Sequence, residues 1–219
     1  MATIKTKLTK EQVTQALKTL GEWFPGEAEN FKKHHNDIVR HIIEGTEPKD
    51  GEPLLVQSHS KEVSATVTAT ALSFTPCVEA IAVFIVDVVF FALGLVGLHV
   101  SNQERMARAL LRELGEDTLR GFLRAIHNFN AADGALAKAK ALFAILGQIY
   151  NAGGFRAVFK VIKDEMSWWE WIKTGVIAVA QITAWFATDG AAFIAEAALS
   201  IMSAESLIEA GIKAAQVCK

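Results

Sequence analysis

Three residues with metal-binding side chains share one face of a predicted helix near the N-terminus. His34, Asp37 and His41 are spaced i, i+3 and i+7, and Glu44 extends the same face. Imidazole and carboxylate groups in this arrangement could bind zinc or a similar ion. The surrounding stretch, FKKHHNDIVRHIIEG, is charged, and no partner for the imidazoles is visible in it. A solvated helix face is therefore the favoured interpretation, and we expect neither a metal nor another cofactor.

Four acidic residues lie within or beside apolar stretches: Glu79, Asp87, Asp189 and Glu196. Burial in a low-dielectric environment disfavours the charged form of a carboxyl group and raises its pKa. Protonation at mildly acid pH would then make it easier to move these segments into a membrane. We predict these four as pH-responsive residues, with helix capping or pairing to arginine as the alternative.

Sequence signatures of common enzyme classes are absent. The chain has no GxSxG, HExxH or GxxxxGK[ST] motif, and it contains one tyrosine and no evident histidine–nucleophile pair. We therefore expect a protein that is not an enzyme. The 22 basic and 24 acidic residues give a net charge of −2, so there is no basic excess of the kind that nucleic-acid binding needs.

The most apolar run, residues 80–98, reads AIAVFIVDVVFFALGLVGL and has one charged residue, Asp87. Nineteen helical residues span roughly 29 Å, close to the thickness of a hydrocarbon core of about 30 Å. Asp87 near the centre opposes insertion by about 2.5–3.5 kcal/mol. A helix that is apolar on all sides is also typical of the centre of a bundle. We expect a buried central helix that a membrane could draw out.

A second apolar region consists of two short arms about the turn Asp189–Gly190. Residues 174–188 carry no charge, and residues 191–202 carry only Glu196. Each arm alone is short for a stable membrane span. From both regions we predict these membrane-inserting residues: Ala80, Phe84, Asp87, Phe90, Phe91, Leu95, Leu98, Ile177, Trp185 and Phe186.

Three tryptophans, Trp168, Trp169 and Trp171, fall just before the charge-free arm. Tryptophan prefers membrane interfaces, where its ring is half buried and its N–H remains hydrated. We predict these residues as interface anchors. Packing on the bundle surface or at an oligomer contact is the alternative.

Several arginines follow the apolar run at helical spacing: Arg105, Arg108, Arg112, Arg120 and Arg124. Such a stripe could meet anionic lipid headgroups. Acidic residues, including Glu104 and Glu116, lie among them, so an internally paired and solvated face is favoured.

Helix start and stop signals occur along most of the chain. Thr9 with Gln12 and Ser167 with Glu170 form capping boxes. Residues 45–53 contain two prolines and two glycines and form the clearest linker. We predict an all-α fold of about 8–10 helices, with residues 1–50 as a helical arm or hairpin and residues 54–219 as the bundle core.

One segment departs from the helical pattern. Residues 63–71, VSATVTATA, alternate apolar residues with serine or threonine, which is typical of a strand. Only residues 54–57 could pair with it locally. The helical surroundings favour a helix here, and a short β segment within residues 54–71 stays as the alternative.

The chain has two cysteines, Cys77 and Cys218, which could form one disulfide. Two buried, unpaired thiols are the favoured interpretation. The N-terminal residues lack the apolar core of a secretory signal. We therefore expect a protein that stays in the cytosol until it is released or associates with a membrane.

Apolar helices surrounded by amphipathic ones resemble the architecture of colicin-type pore-formers, although no sequence motif carries the likeness and we assign no family. The leading hypothesis is a membrane-interacting, pore-forming or toxin-like bundle whose partner is a lipid bilayer. Two other hypotheses are a non-enzymatic homo-oligomer or protein-interaction module and a carrier of a lipid-like ligand.

Overall fold

The computed structural model describes residues 8–59, 74–99 and 102–218. Of these residues 83% are helical and none lies in a strand. The α-helices are α1 Lys10–Trp23, α2 Ala28–Glu44, α3 Pro53–Val56, α4 Pro76–Leu95, α5 Gln103–Arg120, α6 Leu123–Ala131, α7 Gly134–Asn151, α8 Gly154–Glu165, α9 Trp168–Ala187, α10 Ala191–Ser200 and α11 Glu205–Val217. Single 3-10 turns occupy Pro25–Glu27 and Ile201–Ser203.

The all-α prediction is confirmed, and the described helices number eleven against the eight to ten expected. The β alternative loses its local partner, because residues 53–56 form helix α3. The alternating residues 63–71 lie outside the described residues. Proline at the first position of α3 explains the local outcome, since its fixed φ suits a helix start.

The chain divides into two compact units. Unit 1 comprises Met1–Ala71 and Ile162–Ala184, and unit 2 comprises Leu72–Val161 and Trp185–Lys219. This division differs from the predicted one near residue 50. The sequence-local linker gave no sign that a distant segment, the end of α8 and most of α9, completes the N-terminal unit.

In unit 1, α1 and α2 pack against each other. The predicted capping box begins α1. The Thr9 hydroxyl accepts from the backbone N–H of Gln12, and the side-chain oxygen of Gln12 accepts from the backbone N–H of Thr9. Helix α2 ends at Gly45, whose φ of 65° is the left-handed conformation that glycine adopts without strain.

The predicted linker between residues 45 and 53 is held in place in unit 1. The Glu47 carboxylate accepts from the Trp169 indole N–H at 2.6 Å and from the Lys173 ammonium at 2.5 Å. Pro48 is buried. The segment is therefore a packed connection rather than a free spacer.

Unit 2 is built around α4, which packs against α5, α7 and α11. Thr75 caps the helix by accepting from the Val78 N–H, and Pro76 occupies its first position. Thirteen of the twenty residues of α4 are buried. The predicted apolar helix in the core is thus confirmed.

Close packing of α11 in unit 2 depends on Gly211. The Asn130 side-chain amide donates to the Gly211 carbonyl at 2.8 Å. A Cβ at position 211 would lie 2.9 Å from Asn130 Oδ1 and 3.1 Å from a Phe84 ring carbon. The absence of a side chain therefore lets α11 approach the aromatic residues beneath it.

Candidate functional site

Asp87 lies near the middle of α4 and is buried, with 8% of its surface exposed. The Gln103 side-chain amide, in the first turn of α5, donates a hydrogen bond to Asp87 Oδ1. Within the described residues the carboxylate forms no ion pair. Burial raises the pKa of Asp87 to about 6, against the opposing effect of the Gln103 hydrogen bond.

This pKa follows from what the site offers a carboxylate. An ionised carboxylate has about four lone-pair sites for hydrogen bonds. Gln103 is a neutral donor, and the flanking Val86 and Val88 are fully buried. The loss of water around the charge therefore outweighs the single hydrogen bond, and the neutral form is favoured.

The other three predicted pH-responsive residues differ in their surroundings. Burial raises the pKa of Glu196 on α10, and the Trp185 indole acts in the opposite direction. Glu79 and Asp189 are exposed at helix ends, where Asp189 has a φ of 48°. The structure therefore buries Asp87, leaves Glu196 partly exposed, and leaves Glu79 and Asp189 exposed.

The predicted inserting residues of α4 fall into two sets. Ala80 and Phe84 are buried, and the Phe84 ring packs 5.6 Å from the Phe129 ring. Three others are partly exposed along the second half of the helix: Phe90, Phe91 and Leu95. Leu98 is also partly exposed, but it lies beyond the helix end.

The predicted inserting residues of the second region surround a turn at Gly190. Trp185 is buried and meets Phe193 edge-on at 4.9 Å. The Phe186 ring is partly exposed and lies 5.3 Å from the Tyr150 ring. Ile177, earlier in α9, is partly exposed.

Among the described residues, α4 is long and apolar enough to cross a membrane, with a mean hydropathy of 2.4 over its most apolar window. The segments Trp168–Ala187 and Ala191–Ser203 meet the same criterion only as a pair, with a sharp bend at the break. A buried core helix meets this criterion as well, so length and composition identify a candidate and no more.

Cys77 and Cys218 form a disulfide within unit 2, with an S–S distance of 2.07 Å. The favoured prediction of two free thiols is wrong, and the alternative of a bridge is correct. The bridge joins the first turn of α4 to the residue that follows α11. The cysteines are 141 positions apart, so only the packing of α11 on α4 brings them together.

The tryptophan cluster lies in the core of unit 1, where the sequence predicted membrane-interface anchors. Exposed fractions are 1%, 3% and 0% for Trp168, Trp169 and Trp171. The Trp171 ring lies 5.1 Å from Phe24 and 5.9 Å from Phe31. These rings could reach a bilayer only if unit 1 opened. The sequence showed aromatic clustering but not which residues cover it.

A buried ion pair in unit 1 was missed by the sequence reasoning. Glu27 is fully buried, and its carboxylate lies 2.9 Å from the Lys163 ammonium. The Trp168 indole and the Asn30 amide also donate to it, at 3.0 and 3.2 Å. Lys163 lies over the Trp171 ring at 5.6 Å. The 136-residue separation left no sequence signal for this pair.

The three candidate metal ligands do not converge on one point. His34 is buried and packs edge-on against Trp168 at 5.7 Å. His41 contacts Glu52 through Nε2 at 2.9 Å, and Asp37 faces Arg40. Within the described residues no group of three or more metal-binding side chains is present.

Comparison of the chain with protein-family models, with curated proteins and with solved structures finds no match.

Proposed function

We propose that the protein is a helical bundle that docks on a membrane and transfers α4 into the bilayer, in the manner of a pore-forming or toxin-like protein. The observation that carries this proposal is the buried Asp87 within α4. It is the one charged residue in the apolar part of a helix that has the length and hydropathy of a membrane span.

The charge state of Asp87 controls the cost of transfer. An ionised aspartate at the centre of a bilayer costs about 2.5–3.5 kcal/mol on insertion scales. The pKa of Asp87 in the bundle is about 6, so pH 7 lies about one unit above it. Protonating the carboxyl group at pH 7 therefore costs only about 1.4 kcal/mol. In the bundle, Asp87 can therefore be neutralised at a small free-energy cost near neutral pH.

Acid favours insertion only if the bilayer raises the pKa of Asp87 beyond its value in the bundle. Hydrocarbon desolvates a carboxyl group more completely than the bundle does, so this condition is expected to hold. The driving force then grows as the pH falls towards about 6. Below that value Asp87 is protonated in both states, and it contributes nothing further.

Exposed apolar side chains on unit 2 support a first contact with the membrane surface. Helices α7 and α10 pack against each other. Leu136 on α7 is 56% exposed, and Leu199 on α10 and Met202 in the following 3-10 turn are 89% and 56% exposed. Large exposed apolar side chains of this kind can contact a membrane surface.

Dye release from vesicles tests this function. We would measure release from vesicles of phosphatidylcholine with phosphatidylglycerol at pH 7.5, 6.5, 5.5 and 4.5. As the pH falls, wild-type release should rise and should reach its plateau near or above pH 6. Asp87→Asn, which is neutral at every pH, should release dye at pH 7.5 as fast as wild type does at its plateau.

The matched control is Glu104→Gln on α5, because Glu104 is an exposed acid paired with Arg108. This variant should follow the wild-type pH profile. Absence of release by the wild type at every pH would contradict the membrane function. A discrete oligomer without lipid binding would instead support the interaction module.

A further inference from the structure

An open groove of about 530 Å³ lies along the α6–α7 hairpin of unit 2. Small residues make up half of its lining, and these are Gly121, Ala125, Ala141 and Ala144. Longer polar side chains form its rim, and these are Arg120, Arg124, Asn128 and Gln148. Its lining contains no acidic residue.

Three of the rim side chains have unused donors. Arg124, Asn128 and Gln148 are exposed, and within the described residues their side chains form no hydrogen bond or ion pair. Arg120, in contrast, is paired with Glu116 at 2.7 Å. A guanidinium with two nearby amide groups can bind a phosphate through several hydrogen bonds, one pair of them bidentate from the arginine.

The charge of the hairpin matches an anionic partner. Residues 123–151 contain three basic residues, Arg124, Lys138 and Lys140, and one acidic residue, Asp133, whereas the whole chain has a net charge of −2. Anionic lipid surfaces attract such local basic regions by about 1 kcal/mol for each lysine or arginine. The hairpin is therefore a basic region on an otherwise acidic protein.

We infer that this groove binds the phosphate headgroup of an anionic phospholipid in a bilayer. Arg124 binds the phosphate, while Asn128 and Gln148 donate to its oxygens or to a glycerol headgroup. The alanines of the lining accommodate the apolar atoms next to the phosphate, which a free inorganic anion would leave uncovered. This inference rests on the proposed function, since it names the lipid class and the face of unit 2 that meets it.

The experiment compares Arg124→Gln with Arg108→Gln in vesicle co-sedimentation at pH 7. Both variants remove one exposed positive charge, but Arg108 lies outside the groove and is paired with Glu104 at 2.5 Å. Vesicles contain phosphatidylcholine alone or with 30% phosphatidylglycerol, a mixture of about one anionic lipid in three. Circular dichroism checks that both variants fold as wild type does.

Wild type should bind the anionic vesicles and should bind phosphatidylcholine alone far more weakly. Arg124→Gln should weaken the anionic binding at least about fivefold, whereas Arg108→Gln should change it less than about twofold. Equal losses in the two variants would overturn the site, because they would indicate diffuse charge attraction. Equal binding to both vesicle types would overturn it as well.

A second measurement identifies the ligand. Side-chain NMR resonances of Arg124, Asn128 and Gln148 should shift when dihexanoyl phosphatidylglycerol is added below its micelle concentration. The same shifts at the same concentration of inorganic phosphate would overturn the lipid assignment in favour of a free anion.

The outcomes separate the groove from the proposed function. If Arg124→Gln still releases dye and binds lipid as wild type does, the groove is not the lipid-binding site, and the proposed membrane function is unaffected. If lipid binding depends on Arg124 but no dye is released at any pH, the groove is supported as a lipid-binding site and the pore-forming function is contradicted.

Discussion

Gln103 at the start of α5 donates a hydrogen bond to the carboxylate of Asp87 in the middle of α4. This contact offers the buried acid one neutral donor, and the pKa of Asp87 rises to about 6 because burial outweighs it. The same contact joins the apolar helix to the amphipathic helix that follows it. Through Asp87, both the stability of unit 2 and the proposed transfer of α4 depend on pH.

The sign of that link is testable by unfolding. Because the pKa of Asp87 is higher in the folded state than the ordinary aspartate value of 3.8, the charged carboxylate destabilises the folded state above pH 6. That penalty is relieved progressively as the pH falls from about 6 to about 4. Between pH 7 and pH 5 we expect the free energy of unfolding to rise by about 1 kcal/mol through this group.

Urea denaturation at pH 7, 6 and 5 measures the effect, and Asp87→Asn should remove it. The range stops at pH 5 because hydrogen bonds from Lys173 and Ser167 lower the pKa values of Glu47 and Glu170. The stability that these two groups contribute is present above pH 4.5 and is lost as the pH falls through their folded pKa values. A wild-type stability that decreases from pH 7 to pH 5 would contradict the role of Asp87.

The disulfide between Cys77 and Cys218 is expected to restrain α4. A cross-link that closes 141 residues lowers the entropy of the unfolded chain, which stabilises the fold by about 5 kcal/mol in the chain-entropy model. Reduction should therefore lower the melting temperature markedly and increase dye release, since it frees the first turn of α4 from α11.

Thermal unfolding and vesicle leakage with and without dithiothreitol test this prediction. The double variant Cys77→Ser, Cys218→Ser should behave like reduced wild type, and dithiothreitol should not affect it. A melting temperature that is the same with and without reductant would show that the bridge does not restrain the fold.

The buried pair of Glu27 and Lys163 should be essential to unit 1. Replacing Glu27 with glutamine keeps the shape but removes the carboxylate 2.9 Å from the buried Lys163 ammonium, and breaking such a pair costs about 3–5 kcal/mol. Urea unfolding followed by tryptophan fluorescence measures this loss, since the Trp168 indole also donates to Glu27.

A matched double variant, Glu27→Gln with Lys163→Met, removes both charges. It should recover much of the stability lost in the single variant, because the buried charge opposite position 27 is removed as well. A single variant that is as stable as wild type would show that the pair contributes little to unit 1.

The turn between α9 and α10 depends on Gly190 for two separable reasons. Its φ of 81° is left-handed, and a Cβ there would lie 2.4 Å from a ring carbon of Phe143. Gly153 also has a φ of 81°, but nothing lies within 4 Å of its Cβ position. Gly153→Ala should therefore cost about 1–2 kcal/mol from backbone strain alone.

Gly190→Ala should cost that amount and about 1–3 kcal/mol more, because Phe143 must move. Chemical denaturation of the two variants measures the difference directly. Equal losses in both variants would show that the Phe143 contact does not constrain the turn.

The sequence by itself determined the features that depend on neighbouring residues. The capping box at Thr9 and Gln12, the apolar helix α4 and the turn at Asp189–Gly190 all appear where the sequence predicts them. Each depends on hydrogen bonds and backbone preferences within a few positions, and such interactions can be predicted from local order alone.

Only the tertiary structure decided what covers each apolar surface. An apolar pattern shows that a face is buried, but it does not identify the partner, because many helices could satisfy the same hydrophobic requirement. For this reason the sequence did not show that the tryptophan cluster lies in the core of unit 1, or that residues 162–184 belong to the N-terminal unit. The Cys77–Cys218 bridge and the Glu27–Lys163 pair join residues more than a hundred positions apart, and both form only after packing has brought those residues together.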